Sequence, residues 1–564
     1  MSLTGALANA SAALTTSQYQ VALSTTNVAN ADTDGYTTKT YSATSQTSVL
    51  ALSTGELSRV TDAYLQKSLI VSSASAGYAE TVDSYMSRYD TLLGDTSSDG
   101  DIASLTSALV TDITSLASGT GDTDAAAVVS AASELADGLR ALSSGIQDLR
   151  TDADAAIATT VDEINTLLQE IDSLNDQIVA GQGDVTSLQD ARDTALQSLS
   201  GLISVTSYTD SSGRLNLYTG GQMLVGTTVS TLSFTASGTV SADSTYPDSL
   251  SGISINGRDV TSSLTGGELG ALIALRDEIL PAEQDALDSL ATTLISALNT
   301  AASTGAASTP GSLTSTTAVT ASTPLSLTGT LDVVQTTTAG VATAIDEIDL
   351  SSITTVGELV DALNGVSGIT ASITDGKLTI SSSSGGVVLD SSAALTDTGE
   401  SLSDWMGFND IFSGDSAANI RVTAALAADP SLLATSSLDT SAAVGQTAVA
   451  SGGVGGATAL LDALNEDRDF GASGNLSARN RSLADYATDI LSSAATTIST
   501  ASSTATSATA LRDGYANSLS NATGVNLDEQ TALVSLYQQQ YEISAQLMSA
   551  IQDMYDALIS MVAS

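Results

Sequence analysis

The sequence predicts a mainly α-helical protein with β-rich inserted domains. The expected form is an elongated, discontinuous multidomain chain whose N- and C-terminal helices pair as a coiled coil while β domains project outward. Three observations carry this expectation. Apolar residues recur at heptad spacing at both ends, the period changes to two in the middle, and aromatic residues (4%) and prolines (five in 564 residues) are scarce. Cores of Ala, Leu, Val and Ile, uninterrupted by proline, suit long slender helices better than a compact catalytic body.

Residues 1–31 contain no charged side chain, in a chain with 63 Asp and Glu and 16 Lys and Arg. Leu3, Leu7, Ala10, Leu14, Ser17, Val21, Ser24 and Val28 alternate steps of four and three, so six of these eight seam positions are apolar. An uncharged helix can be surrounded by neighbours without burying an unpaired ion, which would cost several kcal/mol.

The other end answers it. Leu533, Leu536, Gln540, Ile543, Leu547, Ala550, Met554, Ala557 and Met561 alternate three and four, with eight of nine apolar, and no Lys or Arg occurs in the last 40 residues. Asn526 stands at an N-cap position three residues before Glu529, so the last helix is expected to begin near Leu527. At 1.5 Å per residue such terminal helices span about 40–55 Å.

Between the ends lies a second helical layer. Ile157, Val161, Ile164, Leu168, Ile171, Asn175 and Ile178 repeat the heptad, and Gly181 and Gly183 stop it. Weaker helical patterns cover 81–93, 102–116, 125–149, 188–202, 269–299 and 482–519, with Pro281 as a kink or the first turn of a new helix. Period-two runs at 204–225 and 253–260, the second around Asn256-Gly257, predict hairpins. Strands at 325–335, 341–348, 369–374 and 377–381, with a short helix near 356–363, predict a β-rich insertion. The resulting division is a terminal core (1–48 with 525–564), a helical body (49–302 with 441–524, carrying a β-hairpin insertion at 203–262) and an outer β domain (303–440).

Composition limits the chemistry. A formal net charge of -47 and pI near 4.1 disfavour nucleic acid and anionic membrane surfaces as partners. Without any His or Cys there is no thiolate nucleophile, no histidine base and no common zinc ligand set, so neither an enzyme nor a cofactor is expected. The acidic runs at 95–101 and 121–124 resemble fragments of calcium loops but lack the full ligand order, and read as turns or helix N-caps. The N-terminus has no basic and apolar secretory pattern, so export would keep it intact.

Several motifs together resemble a known family. Asn27-Val28-Ala29-Asn30 followed by Asp32-Thr33-Asp34-Gly35-Tyr36 is similar to the signature after the first helix of bacterial flagellar axial proteins. Three further segments resemble the hook-associated protein 1 branch, FlgK type. They are Val161-Asp162-Glu163-Ile164-Asn165 through Ile178 with Leu188-Gln189-Asp190-Ala191-Arg192-Asp193, then Gly266-Gly267-Glu268-Leu269, and then Gly524-Val525-Asn526-Leu527. Little of the segment 303–428 resembles the family.

The resemblance implies a structural protein of the flagellum, exported through the flagellar type III apparatus and assembled as a ring between hook and filament, outside the cell. Its partners would be copies of itself, the hook protein, the second junction protein and an export chaperone at the C-terminal helix. The seam residues implicated in assembly are Leu3, Leu7, Leu14, Val21, Val28, Leu533, Leu536, Ile543, Leu547, Met554 and Met561. The signature turn contains Asn27, Asn30, Asp32, Gly35 and Tyr36. Other readings of the same sequence are another axial subunit of filament or hook, or a secreted calcium-dependent adhesin or surface-layer protein.

Overall fold

The computed structural model describes residues 3–43, 55–94, 100–119, 124–309, 311–390 and 394–563. Among these, the helices in chain order are α1 (Leu3–Ala29), α2 (Ala63–Leu93), α3 (Ile102–Ser118), α4 (Ala125–Val179), α5 (Val185–Leu202), α6 (Gly267–Ala274), α7 (Leu280–Ser303), α8 (Val356–Asn364), α9 (Leu402–Met406), α10 (Ala424–Ala428), α11 (Gly455–Asn465), α12 (Leu483–Thr523) and α13 (Leu527–Ala563). Small antiparallel sheets of two or three strands accompany them. The fold is predominantly helical, as expected.

Acidic side chains start many of these helices. Asp62, Asp101, Asp124 and Asp184 each accept backbone N–H groups of the first turn of α2, α3, α4 and α5. Each satisfies orphan donors and places negative charge at the positive end of the helix dipole. Asp101 and Asp124 come from the two calcium-like runs; residues 95–99 and 121–123 of those runs lie outside the described residues.

The spine of the helical body is α4, 55 residues long. Two separate helices were expected, at 125–149 and 157–178, because Arg150, Thr151, Asp152 and Asp154 interrupt the apolar pattern. The helix runs through because those charges are satisfied where they are buried. Asp154 pairs with Arg276 at 2.8 Å, both side chains 1% exposed. Arg150 donates to the carbonyls of Arg276 (2.9 Å), Ser241 (3.0 Å) and Ser244 (2.7 Å). Residues 234–251 therefore act as a polar lid over a long apolar helix.

Around α4 pack α3, α5, α6 and α7, while α2 lies along α12. One continuous apolar core joins them, from Met86 and Tyr89 through Ile146 and Leu168 to Leu287 and Ile490. A single π-helical turn, Leu275–Ile279, separates α6 from α7, and Pro281 sits in the first turn of α7, where its missing N–H costs nothing. The expected hairpins form at Thr206–Thr209 with Leu215–Thr219 and around Asn256-Gly257, both of whose turn residues have positive φ.

A second core belongs to the outer β unit. Strands Thr330–Thr336, Ala342–Asp349 and Gly386–Asp390 form one sheet, and Leu313–Thr314, Ile369–Thr374 and Lys377–Ser382 another. Helix α8 closes it, burying Val356, Leu359 and Leu363 against Leu331, Val333, Leu378 and Phe408. Ile411, Phe412, Ile420, Leu426 and Leu433 instead join the core of the helical body.

Candidate assembly surface and the elbow beneath it

Helix α1 packs along α13 in the same chain. The two run antiparallel: Gln18 Nε2 reaches the Tyr541 hydroxyl at 3.5 Å, and further along α1 Asn27 Nδ2 donates to Gln530 Oε1 at 3.0 Å. On α1 the most buried positions are Ala10, Ser17, Ser24 and Asn27. The first three are seven residues apart, one layer of the expected heptad, and their small side chains let the helices approach closely. Leu3, Leu7, Leu14, Val21 and Val28 flank this stripe and are half-buried.

On α13 the face turned to α1 is one residue round from the expected seam. Gln530, Ser544 and Ile551 are buried, with Val534, Tyr537, Tyr541, Met548 and Tyr555 half-buried between and beyond them. These positions again alternate four and three. One residue is about 100° of helix rotation, so the expected seam is a second, neighbouring stripe. It is largely open: Leu536, Ile543, Leu547, Met554 and Met561 are exposed, Ile543 at 65% and Met561 at 71%, while Leu533 is half-buried. Only the face directed at α1 differs from the sequence expectation. The cause is that Tyr and Ser score poorly as apolar yet pack well against Ala and Ser.

Below this pair the chain turns sharply. Thr33 N–H donates to the Asn30 carbonyl and Tyr36 N–H to the Thr33 carbonyl, and Gly35 has φ +74°, the left-handed conformation that favours glycine. A Cβ on Gly35 would stand 2.4 Å from Thr194 Oγ1 of α5. Asn30 caps locally through Thr26, and Asp32 is exposed.

Asn27 holds the turn together. Its Oδ1 accepts from the Tyr36 hydroxyl (2.8 Å) and Lys39 N–H (3.1 Å), and its Nδ2 donates to the Lys39 carbonyl (2.9 Å) as well as to Gln530. The Lys39 ammonium is buried, lies 4.9 Å from the centroid of the Tyr36 ring, and pairs with Asp190 of α5. Asp190 also accepts from Thr37 Oγ1 (2.7 Å) and Arg59 Nη1 (2.9 Å), and Arg59 reaches Asp193 at 2.7 Å. Burial pushes Lys39 below the ordinary lysine value while the Asp190 carboxylate pulls it back. Burial, with help from the charges of Asp190 and Asp184, pushes the Tyr36 hydroxyl up to about 12.

A continuous polar chain therefore links α13, α1, the strand Lys39–Ala43, α5 and the strand Gly55–Arg59. Thr38 adds two bonds to the α12–α13 corner, to the carbonyls of Thr523 (2.8 Å) and Gly524 (2.7 Å). Lys39, Arg59 and Gln530 were not singled out from sequence; a lone lysine just after an uncharged helix was the available signal for the first.

Residues 86–313 match the family model described as the flagellar hook-associated protein FlgK helical domain. The chain is also 30% identical over 219 residues to flagellar hook-associated protein 1 of Bacillus subtilis (strain 168). The chain is thus similar to FlgK-type hook-associated proteins over part of its length. That alignment covers 35% of this chain and 43% of the relative, so the chain spans less than half the length of the curated relative it matches. The fold is similar to the solved structure of the flagellar hook junction protein FlgK from Burkholderia pseudomallei, with a TM-score of 0.50 and 16% identity over 80% of this chain and 98% of that one. Among the described residues, no helix is long and apolar enough to cross a membrane.

Proposed function

We propose that this chain is a structural subunit of the hook–filament junction, assembling into a ring through its terminal helices. The observation that carries this reading is the pair of adjacent heptad stripes on α13. One stripe is covered by α1 of the same chain, and the other presents Leu536, Ile543, Leu547, Met554 and Met561 to its surroundings. An apolar stripe of this length is unusual on the surface of an isolated protein, and neighbouring copies would cover it. The uncharged α1 can sit inside such a tube without burying an ion.

In this reading the terminal core comprises 1–48 with 525–564. The helical body (49–302 with 441–524, with the insertion at 203–262) and the outer β domain (303–440, whose Ile411, Phe412, Ile420, Leu426 and Leu433 pack into the body) project from it and carry most of the 63 acids outward. Its partners are copies of itself, the hook protein, a second junction protein and an export chaperone at the C-terminal helix. It reaches its extracellular place on the flagellum by type III export. The elbow at Asn27, Tyr36, Lys39 and Asp190 fixes the angle between tube and body.

Labelling the protein on intact flagella tests the reading. Label confined to the hook end of the filament, in few copies per flagellum, is expected. Label distributed along the filament or hook would assign the chain to another axial subunit, and its absence from flagella would reject the proposal.

A further inference from the structure

The chain leaves the helical body for the outer β unit after α7 and returns through residues 398–412. On the return, Phe408 is buried in the outer core, whereas Ile411 and Phe412 are buried in the core of the body. Asn409 and Asp410 make the crossing. Asn409 adopts φ 65° and donates Nδ2 to the carbonyl of Gly305, on the outgoing segment, at 3.2 Å. From the body side, Asn299 of α7 accepts from the N–H groups of Ile411 and Phe412 at 3.0 Å each, and donates to the Phe412 carbonyl at 2.8 Å. The crossing is thus held from both sides, and Asp410 stands in the cleft between the two units.

A cavity of about 470 Å³ opens at this point, with Ser296, Asn299 and Thr300 of α7 on one wall and Glu400, Asp404 and Asp410 on the other. The wall from α7 carries no charge. Thr316, from the segment beside α9, donates its hydroxyl to Asp410 Oδ2, and Thr423 donates to the Asp410 carbonyl at 3.0 Å. Thr300 donates to Asp404 Oδ2 at 2.8 Å. The charges acting on Asp410 are therefore two carboxylates, Asp404 and Glu400. The cations on neighbouring strands, Lys377 and Arg421, are exposed, and among the described residues neither forms an ion pair. Burial, with repulsion from Asp404 and Glu400, raises the Asp410 carboxyl to about 6 against the opposing Thr316 hydroxyl. Glu400 is raised too, by burial and by Asp404.

We propose that Glu400, Asp404 and Asp410 form a proton-operated joint between the helical body and the outer β unit. With a proton on Asp410, the outer unit seats against α7. With Asp410 ionised, Glu400 and Asp404 beside it on the outer-unit wall repel it and loosen the crossing at Asn409 and Asp410. The sign follows from linkage: an unfolded Asp ionises near 3.9, so the raised native value makes the seated form bind its proton more tightly. The stabilisation is fully present below about pH 4 and is lost as the pH rises through about 6.

Trp405, the only tryptophan, lies in α9 beside Asp404 and packs half-buried on the outer core, so its emission reports this joint. Titrating the full chain from about pH 4.5 to about pH 7.5 is expected to give one emission transition centred near 6. Asp410→Asn is expected to hold the low-pH signal throughout, and Glu400→Gln to move the midpoint down by at least about 0.3 pH unit. A flat titration, or one that Asp410→Asn leaves unchanged, would overturn the proposal. Should Asp410→Asn fail to fold, an unshifted midpoint in Glu400→Gln would overturn it equally.

Discussion

Asp190 is the residue on which the elbow turns. It receives Lys39, Arg59 and Thr37, and removing it leaves two cations facing one another in a largely buried site. Asp190→Ala is expected to cost about 3–5 kcal/mol, the penalty for breaking a buried pair by deleting one member, measured as a lower denaturant midpoint. Asp154→Ala beneath α4 should cost less, about 1–3 kcal/mol, because Arg276 keeps its two bonds to Asp277 and only its buried Nη1 loses the carboxylate partner. Tyr36 gives a pH prediction. Its hydroxyl is raised to about 12 against an unfolded value near 10, so its contribution is intact below pH 10 and falls as pH rises toward 12. Tyr36→Phe should flatten that alkaline loss of stability. Asp190 lay within a motif that the sequence made visible, but its role did not, because Lys39 and Arg59 are 151 and 131 residues away in the chain. Contacts at that separation are set by the fold and leave no local pattern.

At the scale of elements, periodicity located α1, α3, α5, α8, α12 and α13 closely, because each has a strong apolar stripe or a clear cap. It divided α4 where buried charges break the stripe, and it missed the first half of α2, where Ser and Ala outnumber the buried Leu69 and Ile70 along the contact. There the helix needs small residues: a Cβ on Gly77 of α2 would stand 2.1 Å from the Gly201 carbonyl oxygen. Gly77→Val should therefore separate α2 from the end of α5 and lower the thermal midpoint, an overpacking effect of about 1–3 kcal/mol. The same reasoning applies to the terminal pair. Ser17→Leu places a large side chain in the narrow α1–α13 contact, and hydrogen exchange should quicken in both helices while α4 stays protected. The expected seam on α13 and the stripe that meets α1 are neighbouring heptads of one sequence. Hydrophobicity alone chose the open one, because the covered one is built from Tyr, Ser, Met and Ile.

For the whole molecule, charge is missing from α1, while α13 combines exposed apolar surface with five acids of its own. The helical body and outer unit hold nearly all the acids, and residues 1–31 hold none. Large exposed apolar side chains instead gather on α13, at Leu527, Leu536, Ile543, Leu547, Met554, Leu558, Ile559 and Met561. With a net charge of -47, repulsion between copies of the chain is weakest along the uncharged α1. Substitution on the open stripe should leave the single chain nearly as stable as before, within about 0.5 kcal/mol, because those side chains have little to lose on their own. The decisive measurement is incorporation of labelled Ile543→Asp and Leu547→Asp chains into flagella, alongside hydrogen exchange of α1 and α13 in the same chains. Incorporation reduced at least about tenfold, with the α1–α13 pair still protected, is the predicted result. Incorporation equal to that of the unaltered protein would contradict the account.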